Sequence, residues 1–381
     1  MSSPGYRDKS HRLEVEIPEH LRALKPYVAG KSAQVAKSET AFASQFVKLA
    51  SNENPLGPSP LALEAVREAL EVHHLYPDPA STRLTQSLAK RLGVEPEHVC
   101  CTAGSDAALG YLIEAFSRPG DELLSFEGTF IGWRVNVLKL GRRCKFAPLN
   151  SDYTHNVDQL IQAINPHRTK MVYVANPNNP TGDLISEPQL LQLIDGIPDR
   201  ILIVVDEAYD LYAQDFEAYK SALHLKRPNV VITRTFSKSH GLAGFRVGYM
   251  VGPAHLIQVL RKVKLPFEPS VPGQLAAEAA LQDWAFEAKT QDLNRRMLKK
   301  MLKKFSSLGL KWVTPHGNFV MLVFESALKA QVFAEECLVR GLIVRYLDAF
   351  GLPKGVRINS GTETETQFAL RVIEQVVKSS R

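Results

Sequence analysis

Ten residues, RILIVVDEAY from Arg200 to Tyr209, narrow the choice of fold more than any other stretch of the chain. Ile201 to Val205 are consecutively apolar and mostly β-branched, and an aspartate ends the run. A short, continuous apolar run of this kind reads as a strand buried on both faces. Such a strand needs helices above and below it. The chain supplies them in alternation with further strands. LALEAVREAL, STRLTQSLAKRLG and SDAALGYLIEAF carry helical spacing, and Gly93 stops the second of these. HVCCTAG, DELLSF, KMVYVANPNNPTG and VVITRTFSK read as strands that run into polar loops. Alternation of this sort predicts an α/β fold with a largely parallel sheet covered on both faces.

At 381 residues the chain is longer than one hydrophobic core usually serves, so two units are expected. Residues 1–45 show little periodicity and read as an N-terminal arm. Residues 46–268 carry the alternating pattern of a large domain. Residues 269–381 hold a long helical stretch, then NFVMLVF, AQVFAEECLVRG, LIVRYL and GVRINSG, the makings of a smaller α+β domain. No repeat or low-complexity tract interrupts this order.

Charge argues against several function classes. A net charge of +6 over this length is too mild for a nucleic-acid surface. The densest basic run, NRRMLKKMLKKF from Asn294, places Leu293, Met297, Leu298, Met301, Leu302 and Phe305 on one side at helical spacing. It reads as an amphipathic helix on a globular core rather than a membrane-surface helix. No apolar run is long enough to span a bilayer, and the polar start MSSPGYRDKSHR lacks the apolar core of a secretion signal. Cys100, Cys101, Cys144 and Cys337 form no C-x-x-C pair, which fits a reduced, cytoplasmic protein without metal or disulfide framework.

Several motifs fail on inspection. AGKS at 29–32 has Lys25 where a phosphate-wrapping loop needs glycine. AGSDA has Ala103 and Ala107 where a nucleophile elbow needs glycines. His73 and His74 are adjacent and would point apart on regular structure, so they make poor partners for one metal.

What survives is a set of polar residues at successive strand ends, where open α/β sheets bind ligands. Asp206 closes its strand. Asn179 lies in the loop after MVYVA. Lys238 follows VVITRTF, among Thr235, Ser237 and Ser239. Gly104, Ser105 and Asp106 lie between a strand and a helix, where free N–H groups and the helix dipole favour a phosphate. Read singly, each has an ordinary alternative: a cap, an ion pair, a tight turn, a solvated lysine. Read together, they converge on one site.

With NPNNPTG, DEAY and SKSHGLAGFRVGY in this order, the chain resembles the fold-type I pyridoxal-phosphate aminotransferases. LRALKPYVAGKS, LASNENPLGPSP, LYPDP and GLIVRYLDAFGLPKGVRINSGT make it most similar to the branch that acts on histidinol phosphate. The resemblance implies pyridoxal 5'-phosphate as cofactor and Lys238 as its covalent anchor and the proton carrier of the reaction. A lysine suits both tasks because its surroundings can depress its pKa. It implies that Asp206 pairs with the pyridinium nitrogen, that Tyr209 and Asn179 hydrogen-bond the ring hydroxyl, and that Phe130 stacks on the ring. Thr235, Ser237, Arg246 and the Gly104–Asp106 backbone would hold the phosphate, and Tyr76 would reach the phosphate of a neighbouring subunit in a homodimer.

For substrate, the resemblance implies Arg357 on the α-carboxylate, with Arg345 and Tyr27 on a distal phosphate. The expected partners are small molecules: a phosphorylated amino alcohol or amino acid, and a 2-oxo acid. Ala107, Glu127 in EGTF, and His240 depart from the family's usual residues and leave two other substrate readings open. These are an aromatic amino-acid aminotransferase and a decarboxylase of a phosphorylated amino acid.

Overall fold

The computed structural model describes residues 16–24 and 45–379. Tyr27 and most of the expected N-terminal arm lie outside them. Thirteen strands are present among the described residues: β1 (Val47–Lys48), β2 (Val99–Thr102), β3 (Glu122–Phe126), β4 (Arg143–Ala147), β5 (Thr169–Ala175), β6 (Leu202–Asp206), β7 (Val230–Thr235), β8 (Gly248–Val251), β9 (Lys311–Trp312), β10 (Phe319–Val323), β11 (Leu342–Ile343), β12 (Arg345–Tyr346) and β13 (Gly355–Asn359). Seven form one sheet in the order β2-β8-β7-β6-β5-β3-β4. The apolar run that ends at Asp206 is β6, the middle strand.

Alternation along these strands explains the cover on both faces. Val172 and Val174 of β5, Ile203 and Val205 of β6, and Ile232 of β7 face one core. Leu84, Leu88, Leu190 and Leu193 meet them there, from the helices Thr82–Leu92 and Glu187–Asp195. Met171, Tyr173, Val204 and Val231 face the opposite core, against Leu109, Leu112, Trp133 and Ile257. Those come from the helices Ser105–Phe116, Ile131–Lys139 and Ala254–Val263. Strands buried on both faces have no polar side to show, which is why the sequence there is continuously apolar.

One strand departs from the parallel rule. β8 is antiparallel to both β7 and β2, while the other pairings are parallel. Antiparallel neighbours need only a short connection. The chain therefore reverses between β7 and β8 at the same sheet end where Asp206 sits, and both flanks of that reversal, Lys238 and Arg246, stay there.

The C-terminal part holds a four-stranded antiparallel sheet, β12-β13-β10-β9. Its core joins Val320, Leu322, Val356 and Ile358 to Met301 and Phe305 of the helix Trp284–Ser307 and to Ile373 of the helix Glu363–Ser379. The basic run from Asn294 is part of the first of these helices, with Leu293, Met297, Leu298, Met301 and Phe305 buried as its spacing predicts. Val47 and Leu49 join the same core, and β1 pairs in parallel with β11. Among the described residues no helix is long and apolar enough to cross a membrane, and all four cysteines are free.

The reversal after β7 depends on one glycine above the others. Gly241 has φ +70°, and a Cβ there would lie 1.9 Å from the Gly57 carbonyl oxygen. Both the left-handed backbone and the backbone contact exclude a side chain. Gly241→Ala is expected to lower the unfolding free energy by about 3 kcal/mol, measured by urea denaturation, whereas Gly244→Ala, where a Cβ meets nothing within 4 Å, should change it by less than about 1 kcal/mol.

Candidate active site

The carboxyl ends of β2, β5, β6 and β7 open into a cleft of about 230 Å³. Ser105, Asp106, Phe130, Asn179, Asp206, Tyr209, Thr235, Ser237, Lys238 and Arg246 all line it. Residues spread over more than a hundred positions thus meet because parallel strands bring their ends to one edge of the sheet.

Asp206 lies at the floor and is buried. The Tyr173 hydroxyl donates to its Oδ2 at 2.8 Å, while Oδ1 is buried with no hydrogen-bond partner. Burial pushes this carboxyl up to about 6, against the opposing pull of the Tyr173 hydroxyl. The site thus holds a carboxylate that gains by meeting a cation or N–H donor.

Lys238 is half-buried, and its Nζ donates to the Ser51 carbonyl at 3.2 Å. Burial, with the positive charges of Arg357 and Arg246, draws its ammonium down to about 8. A lysine in this range is partly unprotonated near neutral pH and can serve as nucleophile and base.

At the other end of the cleft, Arg246 Nη1 lies 3.4 Å from Ser237 Oγ. The Ser237 N–H donates to Thr235 Oγ1 at 3.1 Å. Gly104 stands immediately before the helix Ser105–Phe116 with φ +88°. A Cβ on it would come 2.6 Å from Arg246 Nη2. Guanidinium, two hydroxyls and the first N–H groups of a twelve-residue helix therefore converge on one small volume, a donor set suited to a phosphate group.

On the rim, Arg357 of β13 is buried; its Nη1 donates to Asn179 Oδ1 and its Nη2 to the Ala50 carbonyl at 2.7 Å. Arg345 of β12 sits directly across from Arg357 in the antiparallel register. Directly opposed residues share one sheet face, so the two arginines form a pair of adjacent cations. Arg345 also lies over the Phe350 ring. Tyr76 does not line this chain's cleft: it is 79% exposed and stacks on Phe267, with ring centroids 4.3 Å apart.

Two polar contacts of the site are not apparent from motif reading. Asn52 donates through Nδ2 to the Tyr209 hydroxyl at 2.8 Å. Burial raises the Tyr209 phenol to about 12, with Arg357 and Asn52 opposing the rise. The second is Tyr173, which on β5 looks like an ordinary core aromatic stacked on Trp133. Its signal lay in being the one polar tip in the apolar run Met171–Ala175 that ends the strand.

The aminotransferase class I and II family matches residues 44–373, which include all the described cleft residues. The chain belongs to that family. Among similar class I and II aminotransferases, the histidinol-phosphate aminotransferase of Anaeromyxobacter sp. (strain Fw109-5) is 37% identical over 363 residues, 95% of this chain and 99% of that one. The histidinol-phosphate aminotransferase of Moorella thermoacetica is 36% identical over 361 residues, 94% and 92% of the two chains. A crystal structure of histidinol-phosphate aminotransferase from Sinorhizobium meliloti in complex with pyridoxal-5'-phosphate superposes with a TM-score of 0.88 at 25% identity, covering 96% of this chain and 98% of that one. The aminotransferase fold is thus shared over nearly the whole length, and the mixed seven-stranded sheet is its core.

Proposed function

We propose that this aminotransferase uses pyridoxal 5'-phosphate to interconvert histidinol phosphate and 2-oxoglutarate with imidazole-acetol phosphate and glutamate, a step of histidine biosynthesis. The observation that carries the reading is the unpartnered Oδ1 of Asp206, buried at the floor of a cleft whose opposite end gathers phosphate donors. Those two ends fit the pyridinium nitrogen and the phosphate of the cofactor, with Lys238 between them. When bound, the cofactor supplies an aldehyde for the amine and a ring that accepts the electrons of the Cα–H bond.

The chain's own residues do the rest. Asp206, ionised, would hold the ring nitrogen in its protonated form. Tyr209 and Asn179 would orient the ring through its hydroxyl, and Phe130 would cover one face. Thr235, Ser237, Arg246 and the Gly104–Asp106 backbone would anchor the phosphate, which leaves Lys238 free to move. Lys238 Nζ would be the group that takes the proton from the substrate Cα and holds it for return, in either direction, for each of the two substrates. Its depressed pKa places the neutral amine within reach of neutral pH.

The arginine pair supports the choice of substrates. Histidinol phosphate has no carboxylate: its phosphate hangs from the carbon that would be the carboxyl carbon. The 2-oxo acid has a carboxylate there. Arg357 takes the carboxylate and the adjacent Arg345, with Tyr27, takes the phosphate, so one site accepts both anions in turn.

The working form is a cytoplasmic homodimer with a large domain (46–268) and a small one (269–381), and Tyr76 serves the neighbour's phosphate site. Tyr76, Leu75, Leu265 and Phe267 are exposed apolar side chains, and Tyr76 and Phe267 stack together. A patch of this kind is what a second copy would cover.

Steady-state kinetics test the substrate. With 2-oxoglutarate as acceptor, kcat/KM for histidinol phosphate should exceed that for phenylalanine at least about 100-fold. Arg345→Ala should cost about 100-fold on histidinol phosphate and less than about threefold on phenylalanine. An equal loss on both would remove the phosphate role from Arg345, and carbon dioxide release without an oxo acid would replace transamination by decarboxylation.

A further inference from the structure

The mechanism leaves one residue of the lysine loop unused. Lys238 to Gly241 make a single tight turn, in which the Gly241 N–H donates to the Lys238 carbonyl at 3.1 Å. The Leu242 N–H donates to the Phe236 carbonyl at 3.0 Å and closes the reversal around it. His240 lies inside this small unit, so a tilt of His240 is a tilt of Lys238.

One side of the turn is held by backbone contacts. Asn54 Nδ2 donates to the Ser239 carbonyl at 2.8 Å, and the Ser59 N–H to the His240 carbonyl at 3.3 Å. The other side is met by the His240 ring. Its Nδ1 lies 3.6 Å from Glu287 Oε1, and neither atom has a hydrogen-bond partner. Glu287 is buried in the first turn of the helix Trp284–Ser307. Its Oε2 receives Arg91 Nη2 at 2.7 Å. Arg91 is itself held by the Leu281 carbonyl at 2.9 Å and lies over the Trp284 ring. Oε1 is therefore fixed in place with His240 Nδ1 before it.

Buried polar atoms seek partners, and these two face one another. A polar cavity of about 390 Å³ borders the ring, lined also by Arg91, Tyr219, Arg234 and Tyr249, and gives the imidazole room to turn. The remaining charged neighbour, Asp283, is engaged by the Ser59 hydroxyl at 2.6 Å and the Phe286 N–H at 3.1 Å. Burial, then Arg91, draws the imidazole down to about 3, so it stays neutral and carries one N–H. Burial raises the Glu287 carboxyl, and Arg91 opposes that rise. With an arginine-held carboxylate as acceptor, the N–H belongs on Nδ1.

We propose that His240 is a positioning residue for Lys238: its Nδ1–H is held by Glu287 Oε1, and the chain His240–Glu287–Arg91 sets the angle at which Nζ faces the reacting carbon. The inference rests on the proton-carrier role of Lys238 but not on which amino donor is used. It predicts an effect on proton transfer without an effect on substrate grip.

Holoenzyme variants test it. His240→Phe keeps the ring packed beside Phe236 but removes the N–H; kcat should fall about tenfold with both KM values within about twofold. His240→Asn, which returns an N–H near the place of Nδ1, should recover at least half of that loss. Glu287→Gln should match His240→Phe. A second readout needs no turnover: in the cofactor-free protein, the pH midpoint for acylation of Lys238, read by peptide mass, should move by about half a unit or more in His240→Phe and return in His240→Asn. Wild-type kcat and midpoint in His240→Phe would overturn the proposal. So would equal losses in Phe and Asn that track a fall in melting temperature. If no amino donor at all is turned over by the wild type, the proposed function fails instead, and the acylation midpoint still decides the positioning role.

Discussion

Lys238→Ala is expected to lower transamination at least about 10⁴-fold, with cofactor still bound. The phosphate cradle and Asp206 would hold the cofactor from its two ends, whereas the proton at Cα has one base. Thr235, Ser237, Arg246 and the Gly104 turn are untouched by the substitution. Lys238→Arg should be nearly as inactive, since a guanidinium keeps its proton at any working pH. Lys238 loses its proton as pH rises through about 8 rather than through the ordinary 10.5. At pH 7.5 roughly a quarter of the cofactor-free protein then carries a neutral amine, against about one part in a thousand for an unperturbed lysine. Borohydride reduction of the holoenzyme should fix the cofactor on the peptide that carries Lys238, and on no peptide of the alanine variant. Transamination by Lys238→Ala at the normal rate would end the proposed mechanism.

The two ends of the cleft are differently legible in the sequence. The strand that ends at Asp206 announces itself, because a strand buried on both faces must be apolar throughout and the first polar residue marks its exit. Lys238 and Ser237 are less plainly marked, because β7 turns polar at Thr233 and Arg234 before it ends at Thr235. What joins Arg246 to them is not marked at all: it depends on β8 running against its neighbours, and a four-residue strand gives no sign of its direction. Tyr173 and Asn52 were missed for a related reason. Each acts through a partner distant in the chain, Asp206 and Tyr209, and each looks locally like core or loop. Arg345 and Arg357 both stand out in the sequence, yet their adjacency is a matter of antiparallel register, which two short segments do not encode by themselves. Residue types at strand ends were readable; who faces whom across strands was not.

Asp206→Asn is the second large effect, and it should act in opposite directions on activity and on stability. In the holoenzyme, loss of the carboxylate leaves the ring nitrogen without its counter-charge, and kcat should fall about 10²–10³-fold. In the cofactor-free protein the same carboxylate is a burden. Its folded pKa is raised to about 6 from an unfolded value of 3.8. Between those two values the folded state binds the proton more tightly than the unfolded state, so stability declines as pH rises through that window. The full decline is on the order of 3 kcal/mol by pH 7. Asparagine, which cannot ionise, escapes it. The cofactor-free variant should therefore be more stable than the cofactor-free wild type at pH 7.5, and the difference should shrink toward zero by about pH 4. Urea denaturation at the two pH values measures this. A variant less stable at pH 7.5 would mean that the Tyr173 hydroxyl at 2.8 Å already satisfies the ionised carboxylate, and that Oδ1 is not waiting for a cation. The expected crossing, lower activity with higher stability of the empty fold, is what separates a residue kept for its ligand from one kept for the core.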